Sequence, residues 1–296
     1  YHKSNYRYSA STSRNDRIIL NIIHKLGGLE TFAYRFGENV VDTNNNINSN
    51  LDWLLDTTRP KRIRLSIETL STKQPHELSY DPHFLLPLLL YMFDMIDIVP
   101  VRRLVESGLL GYIIVCMSSP ILDTRTKAYD LLARYFQQLE LQQSQGLLAG
   151  SGFRERPQIH LLLDTFRGAI EQPYAQISPL LTVFVAEALP ILLRPGHAVY
   201  PQINNFLLAR PCLDLTDVPM YYSTFNSGRP TARAERIWIL KILTRGLQSD
   251  SDVKLCARRH CFTATMAVLK SEQDDKVVSN LCREFLIRAA SLSAGT

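Results

Sequence analysis

Apolar residues in this chain recur at spacings of three and four, the period of a helix with one buried face. The alternation that marks half-buried strands is missing, and so is the strand–helix rhythm of an α/β enzyme. Residues 1–14 read as a polar, Ser/Arg/Tyr-rich leading arm. Ile18, Ile19, Ile22, Ile23 and Leu26 then predict a first helix, ended by Gly27-Gly28. Residues 37–50 hold an Asn-rich loop, TNNNINSN, followed by a short LDWLL turn. In RPKRIRLSIETL, Ile63, Ile67 and Leu70 share one helical face.

From residue 80 the pattern becomes regular. Asp81 is a helix cap with Pro82 in the first position, and Phe84, Leu85, Leu88, Leu89, Met92, Phe93 and Ile96 form a broad apolar stripe. Pro87, near the first turn, costs less there than deep in a helix. VPVRRLVESG reads as a short helix closed by Gly108. LLGYIIVCM has the composition of a buried strand, but its neighbours are helical and no partner strand exists, so it is expected to be a helix. The cleanest helix carries Ala128, Leu131, Leu132, Tyr135, Phe136 and Leu139. A Gln/Gly/Ser stretch, 142–152, separates it from RPQIHLLLDTFRGAI. SPLLTVFVAEALPILLRP (expected to kink at Pro190), GHAVYPQINNFLLARP, ERIWILKILTRGL, DVKLCARRHCFTATMAVL and a last helix near 275–290 follow.

Breaks near 81, 120, 157, 196, 232 and 272 are roughly 40 residues apart, the length of a two-helix HEAT or armadillo unit. The expected fold is therefore all-α, an irregular HEAT/armadillo-like helical-repeat solenoid. Residues 1–79 are expected to form an arm and leading helices packed on the repeat, and residues 80–296 the helical-repeat domain.

Composition narrows the class. With 46% hydrophobic and 21% charged residues, the chain folds and is not disordered. Its 33 basic and 28 acidic residues leave +5, a mildly basic balance that permits a polyanionic partner without demanding one. Arginine outnumbers lysine, which suits bidentate phosphate contacts, although pairing with the acids on solvated helix faces explains the same arginines. Five cysteines without a disulfide framework point to a reducing compartment. The start at Tyr1, with no signal-peptide pattern, reads as a piece of a longer intracellular protein. The longest apolar run, Phe84 to Phe93, is too short to span a membrane.

Candidate chemistry is sparse. The phosphate-binding glycine loops, the G-x-S-x-G elbow and the H-E-x-x-H pair do not occur. The best metal candidate is Cys256, His260 and Cys261 with Cys282, since Cys256 and His260 would lie one turn apart on a helix. Cys261 would point away, no C-x-x-C knuckle completes the set, and packing is the expected role. His83, His160, His197 and His260 read as surface or capping residues, Asp123 and Arg125 as helix-start residues, and Trp53 and Trp238 as core. No enzyme activity, cofactor or small-molecule substrate is expected. The positive hint is a set of basic clusters: Lys61-Arg62 with Arg64, Arg102-Arg103, Arg154 with Arg156, Arg229 with Arg233 and Arg236, and Arg258-Arg259. Lys61, Arg62 and Arg64 are expected to flank the Ile63 face, and Arg258 and Arg259 to flank a helix whose apolar side is Leu255, Phe262 and Met266. These five are the candidate nucleic-acid-binding residues.

Four stretches carry a resemblance: YDPHFLLPLLLYMF (80–93), RRLVESGLLGYIIVCMSSPILDTRTKAYDLLARYF (102–136), HAVYPQINNFLLARPCLDLTDVPMYYSTF (197–225) and ERIWILKILTRGLQSDSDVKLCARRH (235–260). In order and spacing they resemble the C-terminal domain of the nucleolar pre-ribosomal-associated protein 1 family, well over 80 to about 290 and weakly before it; the Asn-rich insert departs from the family. The resemblance implies a helical-repeat scaffold of the nucleolus acting in early large (60S) subunit assembly and pre-rRNA processing. It implies as partners pre-ribosomal RNA and pre-ribosomal proteins, including a DEAD-box helicase complex, and it carries over no catalytic residue. The alternative class is a helical-repeat adaptor that binds peptides or proteins in transport or signalling.

Overall fold

The computed structural model describes residues 10–11, 13–25, 60–72, 79–145, 153–214, 217–272 and 274–293. Gly27-Gly28, the Asn-rich loop, Trp53, nearly all of the leading arm and most of the 142–152 stretch lie outside them. Among the described residues the fold is all-α, with one isolated antiparallel bridge between Ser11 and Tyr80. The chain divides into two compact units, Tyr1–Leu70 with Gln74–Gly152, and Ser71–Lys73 with Phe153–Thr296.

The helices of the first unit are α1 (Arg14–Lys25), α2 (Pro60–Thr72), α3 (Pro82–Met95), α4 (Val101–Glu106), α5 (Leu109–Cys116) and α6 (Leu122–Ser144). α3 and α5 pack on α6, and α4 packs on α5. Asp81 caps α3 as expected: its carboxylate accepts from His83 N–H at 2.9 Å and from Arg17 Nε at 2.9 Å. Gly108 closes α4 in the left-handed region at φ +87°, where a residue with a Cβ would be strained. All eight residues of α5 are buried, so its strand-like composition reflects a helix enclosed on every side. In α2, Ile63 and Ile67 are buried and Leu70 is half-buried, on the expected face. Leu131 and Phe136 are likewise buried on α6.

Two expectations in this unit are corrected. In α1 the buried positions are Asp16 and Leu20, whereas Ile18 and Ile22 are about half exposed. The helix is rotated because Asp16 accepts from Ser11 N–H at 2.9 Å and from Ser11 Oγ at 2.5 Å. At the other end, α6 runs on into the Gln-rich stretch to Ser144. There Gln142 Nε2 donates to Val99 C=O at 2.7 Å, and Gln138 Oε1 accepts from Val99 N–H at 3.2 Å. These glutamines supply hydrogen bonds to the loop after α3, which two polar residues in a loop-like composition do not advertise.

The second unit holds α7 (Arg156–Arg167), α8 (Pro179–Leu192), α9 (Tyr200–Leu208), α10 (Tyr221–Phe225), α11 (Ala232–Gly246), α12 (Asp250–Arg258), α13 (Cys261–Ser271) and α14 (Lys276–Ser293). α8 packs on α7, α9 and α11; α11 packs on α10 and α14; α12 and α13 pack on each other and on α14. α8 is buried along nearly its whole length, runs through Pro190 and closes two residues later at Leu192. Phe184 on α8 sits edge-on to Trp238 of α11 at 5.7 Å and to Phe206 of α9 at 6.0 Å. Trp238 is thus core, as its position in an apolar stripe predicts.

The single helix expected over 252–269 is two. α12 ends at Arg258, and His260 takes a left-handed conformation at φ 53° before α13 begins at Cys261. A left-handed histidine is tolerated better than most side chains, and no Gly or Pro marks the break. The break turns Met266 outward, 44% exposed, away from the face shared by Leu255. α12 is started by a reciprocal capping box: Ser249 Oγ accepts from Asp252 N–H, and Asp252 Oδ2 accepts from Ser249 N–H at 2.9 Å. Ser249→Ala is expected to lower the stability of this unit by about 1 kcal/mol in urea denaturation. An unchanged midpoint would mean that α12 needs no cap.

Candidate nucleic-acid interface

The arginines of this chain divide into those consumed by the fold and those left facing water. Arg17 binds Asp81, Arg102 binds Glu106 at 2.9 Å, Arg134 binds Asp94, and Arg245 binds Glu187 at 2.5 Å. Arg236 contacts Glu272 and also donates Nε to Phe225 C=O at 3.0 Å. Arg233 holds Asp275 with two nitrogens, at 2.6 and 3.3 Å. That fork raises the Arg233 pKa and holds the Asp275 carboxyl below its usual range. Arg125 donates to the carbonyls of Ser119 and Pro120, and Lys127 pairs with Asp123 at 2.5 Å, so both residues at the α6 start are structural. Pairing on helix faces therefore accounts for much of the basic composition.

The five predicted contact residues split along the same line. Lys61 and Arg64 are exposed on α2 and Arg258 on α12; no ion pair holds any of these three among the described residues. Arg62 is half-buried, its guanidinium 3.8 Å from the centre of the Tyr80 ring, and so does not stand out to meet a phosphate. Arg259 is held by Asp217, Nε to Oδ1 at 3.1 Å. The reason is the same for both: a partner distant in sequence, invisible to a reading of neighbours, lies beside the side chain in the fold.

A cleft in the second unit lies apart from the expected sites. α9, the residues after it, α10 and Arg229 surround a cleft of about 380 Å³. Arg210 lies over the Phe206 ring, 4.9 Å from its centre. Tyr222 is about half exposed, and its hydroxyl donates to Arg259 C=O at 2.7 Å, which fixes the ring. The left-handed turn at Met220, φ 61°, sends Tyr221 into the core and leaves Tyr222 on the wall. Arg229 pairs with the buried Glu235, 3.7 Å from Oε2, while Glu235 Oε1 accepts from Gln202 Nε2 at 3.0 Å and Thr231 Oγ1 at 2.5 Å. Asp217 on the same wall is neutralised by Arg259. The signal for this cleft, a few aromatic and arginine residues over 206–229, is spread across two helices and a connection, so no single periodic segment displays it.

The remaining polar candidates have local partners. His160 pairs with Asp164 at 2.6 Å, and His197 Nδ1 accepts from Val199 N–H at 3.2 Å. Cys256 and Cys261 are buried against each other. Their mutual hydrogen bond, and then burial, push the Cys256 thiol well above its ordinary value, which keeps it protonated and a poor ligand. His260 stands exposed at the helix break, so the one-turn Cys256/His260 geometry expected for a metal does not form. Among the described residues no three His, Cys, Asp or Glu side chains are grouped to hold a metal ion, and no helix is long and apolar enough to cross a membrane.

Comparison with known proteins gives the chain its relatives. A family model described as nucleolar pre-ribosomal-associated protein 1 matches residues 110–296. A mouse (Mus musculus) protein named nucleolar pre-ribosomal-associated protein 1 is 31% identical over 214 residues, and the human (Homo sapiens) protein of that name is 30% identical over 214 residues. Each match covers 72% of this chain and 9% of the relative, so the chain spans less than a tenth of the length of these relatives. No solved structure matches it.

Proposed function

The chain belongs to the nucleolar pre-ribosomal-associated protein 1 family, and from that premise we propose that it is a helical scaffold segment acting in ribosome assembly in the nucleolus. Its task is to hold proteins and precursor RNA of the early large (60S) subunit, a DEAD-box helicase complex among the protein partners, and it performs no reaction of its own. The observation that carries this reading is the family match across residues 110–296. The all-helical fold is compatible with it, since helical arrays of the HEAT/armadillo kind offer long surfaces. Lys61, Arg64 and Arg258 are the side chains proposed to meet phosphates by charge, since no base-reading motif accompanies them.

Crosslinking the chain to RNA in cells, followed by sequencing and by sedimentation of its complexes, tests the reading. Enrichment of large-subunit precursor RNA and co-sedimentation with pre-ribosomal particles is the expected result. Absence of both, with peptide cargo recovered in their place, would establish the adaptor alternative. For the charge-read contact, Lys61→Glu with Arg64→Glu is expected to weaken RNA binding and to reduce the slope of log affinity against log salt by about 1.4, from about 0.7 per phosphate on single strands. Binding that does not depend on salt would reject it.

A further inference from the structure

We propose that the cleft between α9 and α10 is a stacking site for one nucleotide of single-stranded RNA, with Tyr222 as the base platform and Arg210 as the phosphate contact. The site rests on the reading of the chain as an RNA-contacting scaffold and gives that contact a location. Three observations converge on it. First, the cavity of about 380 Å³ lies within the range of pre-formed small-ligand sites, about 300–1,000 Å³. Second, its charge is positive. Asp217 is cancelled by Arg259, and the buried Glu235 by Arg229. Arg210, by contrast, makes no ion pair among the described residues and leaves this wall with one uncompensated positive charge. Third, flat π surfaces are presented at the opening. The Tyr222 ring is half exposed and anchored through its hydroxyl, and the Arg210 guanidinium is spread over Phe206, offering a planar cation.

An acidic peptide would satisfy Arg210 but would leave the fixed tyrosine face without a use. A nucleotide uses both, because every base has a π face and carries a phosphate beside it. Recognition of this kind is tolerant of sequence. Stacking on Tyr222 does not distinguish bases, so the site is expected to take any base.

The test uses the whole chain and a fluorescein-labelled oligouridylate about 12 nucleotides long, a length suited to sequence-independent single-strand sites. Tyr222→Ala is expected to weaken binding about tenfold, and Tyr222→Phe, which keeps the ring, by less than about threefold. Arg210→Glu is expected to lower the salt slope by about 0.7. A 4-thiouridine version of the same oligonucleotide should crosslink within residues 202–229. Circular dichroism of each variant confirms that it folds. RNA binding that survives all three variants, with crosslinks at α2 or α12, overturns the cleft site and leaves the scaffold reading intact. Absence of oligouridylate binding, with capture of an Asp/Tyr-rich peptide that Tyr222→Ala abolishes, assigns the cleft to a peptide and overturns the RNA site. No binding of RNA by the wild-type chain, while it still co-sediments with pre-ribosomal particles, also overturns it and leaves protein contacts as the basis of the scaffold.

Discussion

Phe184→Ala is expected to lower the stability of the second unit by about 4 kcal/mol, in the range seen when a buried phenylalanine is truncated. Phe184 is fully buried on α8, a helix with almost no solvent face. Two rings meet it edge-on, Trp238 at 5.7 Å and Phe206 at 6.0 Å, and such pairs contribute about 0.5–1.5 kcal/mol beyond burial. The void cannot be refilled cheaply, because its walls are three helices held by one another. Urea denaturation followed by Trp238 fluorescence measures the loss. A change below about 1 kcal/mol would place Phe184 outside the core. The substitution also carries a functional consequence. Phe206 forms the floor on which Arg210 rests, so loosening Phe184 is expected to weaken oligouridylate binding without touching the cleft directly.

Gly246→Ala is expected to destabilise the same unit by about 2–3 kcal/mol, although alanine is the better helix former by about 1 kcal/mol. Gly246 is the last residue of α11, buried where α11 meets α8. A Cβ there would stand 2.6 Å from Leu180 Cδ2 and 2.7 Å from Leu180 Cα. A rotamer change removes the first clash and not the second, since Cα belongs to the α8 backbone. The helices must separate, and overpacking therefore outweighs propensity. Gly228→Ala is the control: nothing lies within 4 Å of its added carbon, so its urea midpoint should stay near that of the parent chain. A stabilised Gly246→Ala chain would show that α8 and α11 are loosely packed.

Both effects concern contacts between segments far apart in sequence, and the legibility of the chain divides at that distance. The α3 cap at Asp81-Pro82, the α6 stripe of Leu131 and Phe136, and the helical state of LLGYIIVCM follow from residues within a few positions of one another. The breaks near 81, 120, 157, 196, 232 and 272 fall at helix boundaries for the same reason: caps, prolines and periodicity act over one or two turns. Where the local signal is weak, sequence and structure differ. His260 breaks a helix without Gly or Pro, and Gln142 extends one through a stretch of loop composition.

The candidate site shows the division most clearly. Exposure of Lys61 and Arg64 follows from the Ile63–Ile67 face alone, because a helix that buries one side offers the other to water. Nothing near Arg62 or Arg259 announces Tyr80 or Asp217, 18 and 42 positions away by the numbering, yet those two partners remove both arginines from the free surface. The cleft is of the same kind. Phe206, Arg210, Tyr222 and Arg229 lie on α9, α10 and the connections beside them, and they become one wall when α8 and α11 set where α9 and α10 lie. Helix identity is a short-range property, carried by backbone hydrogen bonds and a periodic apolar face, and the chain states it directly. The pairing of charges and rings across helices is settled by packing, which compares all surfaces at once and leaves no mark in any one segment.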